Sequence, residues 1–439
     1  MTTTPSRPLR RPQPPFAPAR VVGSWPALDS TPAGPKARVA AGIARQLFRG
    51  AVRRLPVTVH EGSRAIGLGG PSMVIRRPAE FYARLGADGL IGFGEAYLTG
   101  AWEAEDLGGF LTVLAADLPT LIPAPLQRLR AAYVRRPPRH HQNTQDNTRD
   151  NIAHHYDLSN SLFASFLDES LSYSSALFDT SLRDRGDHLQ AAPPEGHHSE
   201  SLRDAQIRKI ERLLDETGVG EGTRVLEIGT GWGELAIRAA RRGATVHSVT
   251  LSSEQLALAE ARIADAGCRD QVTLALSDYR DVTGEFDAVL SVEMIEAVGH
   301  EFWSTYFSTI DRLLAPGGRV GIQAITMPHD RMLATRSTWT WINKYIFPGG
   351  FLPSVQAIED VTRADTTLRL TRRLSFGRHY AETLLRWDEA FLAAAEEVRA
   401  LGFDETFERM WHFYLEYSRA GFASGYLDVQ QLTFERTLP

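Results

Sequence analysis

Three glycines alternate with other residues in the stretch Val225-Leu226-Glu227-Ile228-Gly229-Thr230-Gly231-Trp232-Gly233. An apolar run ending in such a turn reads as a strand delivering the chain into a helix. Glycine there lets the backbone turn tightly and approach a ligand closely. A Gly-x-Gly turn serves many nucleotide enzymes, but three features favour S-adenosylmethionine over a dinucleotide. The spacing is Gly229-x-Gly231-x-Gly233, not the G-x-G-x-x-G of the dinucleotide fingerprint. An acid, Glu227, lies inside the strand end, where it can orient the turn. No acid closes the next strand to hold a ribose. The text there is Val249-Thr250-Leu251, so Thr250 and Gln255 would serve instead. Asp278 and Tyr279, after a third strand, would face the adenine. All these residues fall at the carboxyl ends of predicted strands, where open parallel sheets bind ligands.

The elements that must position them alternate regularly. A helix through Ile207, Ile210, Leu213 and Leu214 precedes strand 224–228. Strand 245–249, helix 254–266, strand 272–276 and strand 288–292 follow. Apolar strands separated by helices predict a parallel sheet covered on both faces. Upstream, strands are expected at 57–60 and 72–75, with helical text through Leu126. The linker-like stretch Tyr133 to Asn151 divides the chain. The expected domains are a disordered, Pro-rich, basic leader (1–35), an N-terminal lipid- or membrane-associating domain (36–140) and a catalytic domain (141–439). A breaker-rich stretch at 181–200 reads as a mobile surface loop.

Composition narrows the class. With 439 residues, 43% hydrophobic and 23% charged, this is an ordinary globular chain with room for two or three domains. The lone Cys268 excludes an internal disulfide and fits a reducing cytosol. No apolar run reaches the roughly 18 residues of a membrane span, and no secretory signal is read at the start. The six histidines His140, His141, His154, His155, His197 and His198 lack the partners and spacing of a zinc site, so no metal is expected. Residues 1–54 hold ten Lys/Arg and one acid, so the arm carries 10 − 1 = +9 and the remainder −5 − 9 = −14. Val39, Ile43 and Leu47 recur every four residues among arginines, as in a helix that lies on an anionic membrane. Nucleic-acid binding has no supporting motif.

The chain resembles the cyclopropane-fatty-acyl-phospholipid synthases and their mycolic-acid and methyl-branched-lipid relatives. The resemblance spans most of residues 90–439. It rests on Gly92-Phe93-Gly94-Glu95-Ala96-Tyr97-Leu98, His155 to Asn160, Leu171 to Ala176 and Val225 to Gly233. It continues through Val249 to Ser252, Asp278 to Asp281, Ser291 to Gly299 and Trp341 to Gly350. It implies an α/β, Rossmann-like class I methyltransferase with a mostly parallel seven-stranded sheet and a smaller mixed α/β N-terminal lipid-binding domain. The implied reaction carries the methyl group of S-adenosylmethionine to a cis double bond of a membrane phospholipid acyl chain. Tyr173 and Ser174 would hold the methionine end of the cofactor. Gly229, Gly231, Thr250, Leu251, Gln255 and Tyr279 would complete the site. Glu296 and Tyr380 match a catalytic carboxylate and tyrosine. In cyclopropane synthases those two, with a cysteine, a histidine and a backbone group, surround a bicarbonate that acts as base.

Three positions depart from that pattern together. Ser175 stands at the cysteine, Gln323 at the histidine, and Glu293 where the family has glycine. The departures move the expected product from a cyclopropane towards a 10-methylene chain of tuberculostearic type, with a ring-forming synthase or an inactive lipid-binding protein as alternatives. Glu293 would then replace bicarbonate. Its repulsion with Glu296, three residues on and on the same face of a helix, would tune one of them as a base. A flavin- or nicotinamide-dependent reductase partner, a homo- or hetero-oligomer, and a cytoplasmic location at the inner membrane face are also expected.

Overall fold

The computed structural model describes residues 25–117, 159–194 and 200–437. The basic helical pattern is α1 (Pro35–Val52), with proline at its first turn, where a missing N–H costs nothing. Next come β1 (Thr58–Glu61), β2 (Arg64–Ile66) and β3 (Ser72–Ile75). They are followed by α2 (Pro78–Asp88), α3 (Leu90–Leu98), β4 (Trp102–Ala104) and α4 (Leu107–Ala116). The four strands form a sheet in the order β2-β1-β3-β4. β2 and β4 are three residues long, too short for alternation to show in the sequence. The helical text expected after β3 is thus interrupted by β4.

The second unit opens with α5 (Asn160–Phe166) and a hairpin, β5 (Leu182–Asp184) and β6 (Leu189–Ala191). The stretch expected as a mobile loop therefore contains ordered structure. Leu189 and Gln190 pair with Leu374 and Ser375 and extend the main sheet. After α6 (Leu202–Glu216) the alternation runs β7 (Arg224–Ile228), α7 (Glu234–Arg241), β8 (Thr245–Thr250), α8 (Ser253–Asp265), β9 (Val272–Leu276) and β10 (Phe286–Val292). Then follow α9 (Ile295–Val298), α10 (Trp303–Leu313), β11 (Leu314–Thr326), α11 (His329–Thr335), α12 (Trp341–Tyr345) and α13 (Val355–Asp365). The chain continues with β12 (Leu368–Ser375), α14 (Gly377–Ala393), α15 (Ala395–Ala400), α16 (Glu405–Ala423) and β13 (Asp428–Arg436).

The sheet order is β5-β6-β12-β13-β11-β10-β7-β8-β9. Seven of these strands, β12 through β9, make the expected class I sheet, and the hairpin adds two at one edge. β13 is antiparallel to both β11 and β12, whereas the pairs from β11 through β9 are parallel. The connections diverge between β7 and β10. A crevice therefore opens beyond their carboxyl ends.

The two units share packing. One apolar cluster holds Phe81, Trp102 and Phe110 of the first with Trp387, Phe407 and Trp411 of α14 and α16. Glu95 of α3 receives hydrogen bonds from Lys344 and from Tyr345 (2.9 Å), so the 92–98 and 341–350 motifs meet. Among the described residues no helix is long and apolar enough to cross a membrane, and no cluster suits a metal. The 140/141 boundary and the six histidines weighed as metal ligands lie outside the described residues.

Candidate active site

The crevice is a cleft of about 1030 Å³, open solvent included, and nine of the eleven expected cofactor residues line it: Tyr173, Ser174, Glu227, Gly229, Gly231, Thr250, Leu251, Gln255 and Tyr279. Gly231 has φ 52°, and a Cβ there would meet no protein atom within 4 Å, so this turn leaves space where a ligand can approach. Gly229, at φ 98°, is tight for another reason. A Cβ would lie 2.6 Å from Met294 Cγ. Gly233 does not line the cleft. It precedes α7, and a Cβ there would lie 3.3 Å from the Ala259 Cβ of α8. Asp278 also turns away. Its carboxylate binds the Arg280 guanidinium at 2.8 and 2.6 Å, and its neighbours Ser277 and Tyr279 stand in the cleft wall instead.

Local bonds explain this placement. Ser252 caps α8 by accepting from Gln255 N (3.2 Å), and Thr250 Oγ1 donates to Gln255 Oε1 (3.3 Å). Glu227 lies buried beneath the turn, where Ser248 Oγ donates to it (2.5 Å) and also bonds Thr230 Oγ1 (2.7 Å). Burial pushes the Glu227 carboxyl up to about 8, so at neutral pH it is mostly a neutral acid tying the turn to β8. The lining suits S-adenosylmethionine: glycine backbone at the turn, hydroxyl and amide groups at Thr250 and Gln255, and an aromatic wall at Tyr279.

Of the expected catalytic residues, Glu293 is the one that lines the cofactor cleft. Its Oε1 accepts from Ser175 N (2.9 Å) and Gln323 Nε2 (2.8 Å), and its Oε2 from Tyr380 OH (3.0 Å). Ser175 acts through its backbone; its hydroxyl donates to the Ala176 carbonyl instead. Gln323 sits on β11, pairs with Gln431 of β13 and accepts from its amide (3.1 Å). Tyr380 comes from α14. Glu293 has φ 51°, the left-handed region that favours glycine. It precedes α9, so it does not share a helical face with Glu296, contrary to the spacing expectation.

Glu296 lies to the side. Its Oε1 accepts from Ile325 N, and its buried Oε2 has no hydrogen-bond partner among the described residues. Burial first, and the Glu293 charge second, push its carboxyl up to about 8. Desolvation, not repulsion between the acids, is thus the larger cause. Burial also raises Glu293, opposed by its three donors and by the Lys209 charge.

Lys209 and Gln206 are functional candidates that the motifs did not point to. Both are fully buried on α6 beside Ile210 and Leu213. Lys209 Nζ donates to Ser174 Oγ (2.6 Å) and lines the cleft; Gln206 Nε2 donates to the Ser174 carbonyl (2.8 Å). The available signal was a lysine and an amide set within the apolar stripe of a helix. Trp411, Phe413 and Tyr414 of α16 belong to the core, and Tyr345 and Phe347 pack against it. Tyr417 is 37% exposed.

Comparison with known proteins agrees with this geometry. The chain is 51% identical over 419 residues to the tuberculostearic acid methyltransferase of Mycobacterium tuberculosis, covering 94% of this chain and 96% of that protein. It is 33% identical over 377 residues to the cyclopropane-fatty-acyl-phospholipid synthase of Escherichia coli, covering 85% and 90%. Among solved structures, the cyclopropane synthase MmaA2 from Mycobacterium tuberculosis superposes with a TM-score of 0.57 at 29% identity, over 65% of this chain and 97% of that one. Mycolic acid cyclopropane synthase CmaA1 complexed with SAH and CTAB gives 0.57 at 30% identity, over 66% and 98%. The family model for mycolic acid cyclopropane synthetase matches residues 142–432. With fold, cleft and match in agreement, the chain belongs to the mycolic acid cyclopropane synthetase family.

Proposed function

We propose that the protein methylates the cis double bond of an unsaturated phospholipid acyl chain and releases a methylene-branched chain of 10-methylene type. It is an S-adenosylmethionine-dependent methyltransferase that acts on unsaturated fatty acyl chains. The observation that carries the finer reading is the Glu293 carboxylate, held by three donors at a backbone position suited to glycine.

Bound in the cleft, S-adenosylmethionine supplies an electrophilic methyl group. An alkene is a weak nucleophile, so the residues must keep water away and support a cationic acyl chain. The charge of Glu293 supplies that support, with the Tyr173 ring also in the cleft wall. Glu293 then takes the proton. Its Oε1 already accepts two hydrogen bonds, so the spare lone pair is on Oε2, beside the Tyr380 hydroxyl. Burial leaves Glu296 mostly protonated at neutral pH, so it adds little negative charge beside Glu293. A 1,2-hydride shift moves the cation to the methylated carbon, and loss of a proton from the new methyl then gives a methylene branch; loss of that proton without the shift, with closure of a carbon–carbon bond, gives cyclopropane.

In the resembled synthases the tyrosine that Tyr380 matches is one of the groups around bicarbonate. Here its hydroxyl donates to Glu293, which supports a protein carboxylate in place of bicarbonate. The wider reading includes a peripheral, cytoplasmic enzyme at the inner membrane face, an oligomer, and a separate flavin or nicotinamide reductase that saturates the product. The test is Glu293→Gln, assayed for methyl transfer with and without bicarbonate. The variant is expected to lose about 100-fold or more, as for removal of a general base, and the parent to ignore bicarbonate. Full activity in the variant, or a bicarbonate-dependent parent, would refute the assignment.

A further inference from the structure

On α1, Val39, Ile43 and Leu47 are 65%, 55% and 37% exposed. Single exposed apolar residues are ordinary, but three on successive turns make a stripe. The opposite side of the helix is anchored: Val52 is buried, and Phe48 packs edge-on against Phe81 at 5.2 Å. The stripe therefore points away from the protein. Around it the chain is basic. Between Asp29 and Glu61 there is no acid, while Lys36, Arg38, Arg45, Arg49, Arg53 and Arg54 all fall there.

At the carboxyl end of the stripe, Arg49 and Arg53 of this segment face Arg64, Ala65, Ile66 and Gly67 across an open basin of about 760 Å³, open solvent included. β2, which carries Arg64, is the edge strand of its sheet. Arg49 is fixed by two bonds to Glu61 Oε2, at 3.0 and 2.7 Å. The same carboxylate also accepts from Arg45 (2.6 Å) and Tyr82 (2.9 Å). Arg53 and Arg64 have no ion pair among the described residues. A single acid thus holds two arginines, Arg45 and Arg49, while Arg53 and Arg64 present guanidinium groups with no ion pair among the described residues. Guanidinium matches phosphate oxygens in a bidentate fork. The stripe beside it suits the acyl boundary of a bilayer.

We infer that α1 lies in the membrane interface and that Arg49, Arg53 and Arg64 receive the phosphate of an anionic phospholipid, seating the enzyme on the bilayer that holds its substrate. This rests on the phospholipid reading above. Residues 36–54 carry six Lys/Arg and no acid, so this helix is drawn to an anionic surface.

The test uses the full chain and sedimentation with vesicles of phosphatidylcholine alone or with phosphatidylglycerol. The parent is expected to bind the anionic vesicles and to be released by salt. Arg53→Glu with Arg64→Glu should weaken that binding by about tenfold or more, given the value of each basic residue at an anionic surface. Ile43→Ser with Leu47→Ser should also weaken it. Both variants should bind S-adenosylhomocysteine as the parent does, which reports an intact fold. Inorganic phosphate should displace the vesicles no better than chloride at equal ionic strength. Unchanged vesicle affinity in the charge-reversed variant overturns the inference, as does selective displacement by free phosphate or tighter binding to duplex DNA. A parent that sediments as expected yet methylates no phospholipid refutes the functional reading and leaves the docking site standing.

Discussion

At Glu293 the backbone adopts a conformation that costs an L-residue about 1 to 2 kcal/mol, and three donors converge on the side chain. Strain of this kind persists where the surroundings over-determine it. The surroundings here come from three elements: Ser175 before α6, Gln323 on β11 and Tyr380 on α14. Lys209 completes them from α6, bonded to Ser174 and close enough for its charge to lower the Glu293 pKa. Lys209 is a positioning residue in this account. Burial lowers its own pKa to about 8, so it remains mostly charged at neutral pH. Replacing it by Met removes a charge that favours ionised Glu293, so the Glu293 pKa rises. Glu293 must be ionised to accept a proton. The acid limb of kcat/KM against pH should therefore move to higher pH in Lys209→Met, and less in Lys209→Arg. An unmoved limb in Lys209→Met would remove Lys209 from the proton chemistry.

At the scale of elements, the β7-to-α7 turn separates two jobs that the glycine spacing alone cannot tell apart. Gly229 is needed for packing against Met294, while Gly231 leaves open cleft. Gly229→Ala is expected to destabilise the fold by about 1 to 3 kcal/mol, from overpacking and a positive φ. Gly231→Ala should lose more cofactor affinity than stability. Thermal melting beside titration with S-adenosylhomocysteine checks both, and equal losses of stability in the two variants would contradict the division. The alternating strands and helices from α6 to β10 were legible because each has its own period of apolar residues. β2 and β4 were not, being too short to show a period. The 182–191 hairpin was masked by its breaker-rich composition, since its pairing with β12 is a long-range contact that local text does not carry.

Across the whole molecule, the cofactor wall was readable because one turn and two strand ends carry most of it. The proposed proton-accepting centre was readable only as a set of departures from a family pattern. Its geometry is non-local: residues 175, 293, 323 and 380 meet only when the sheet and α14 are assembled. The resemblance identified Ser175 as a changed position, but only the folded chain reveals that its amide, not its hydroxyl, reaches Glu293. Likewise the spacing of Glu293 and Glu296 suggested a shared helical face, whereas a left-handed residue places them apart in role. The same assembly joins the first unit to α14 and α16 through one apolar cluster, while the cleft itself is lined by residues of the second unit. The most direct test of the central claim is proton NMR of the lipid formed by the purified full chain from an unsaturated phospholipid in bicarbonate-free solution. The account predicts vinylidene protons and no high-field ring protons; ring protons alone, or no product until bicarbonate is added, would contradict it.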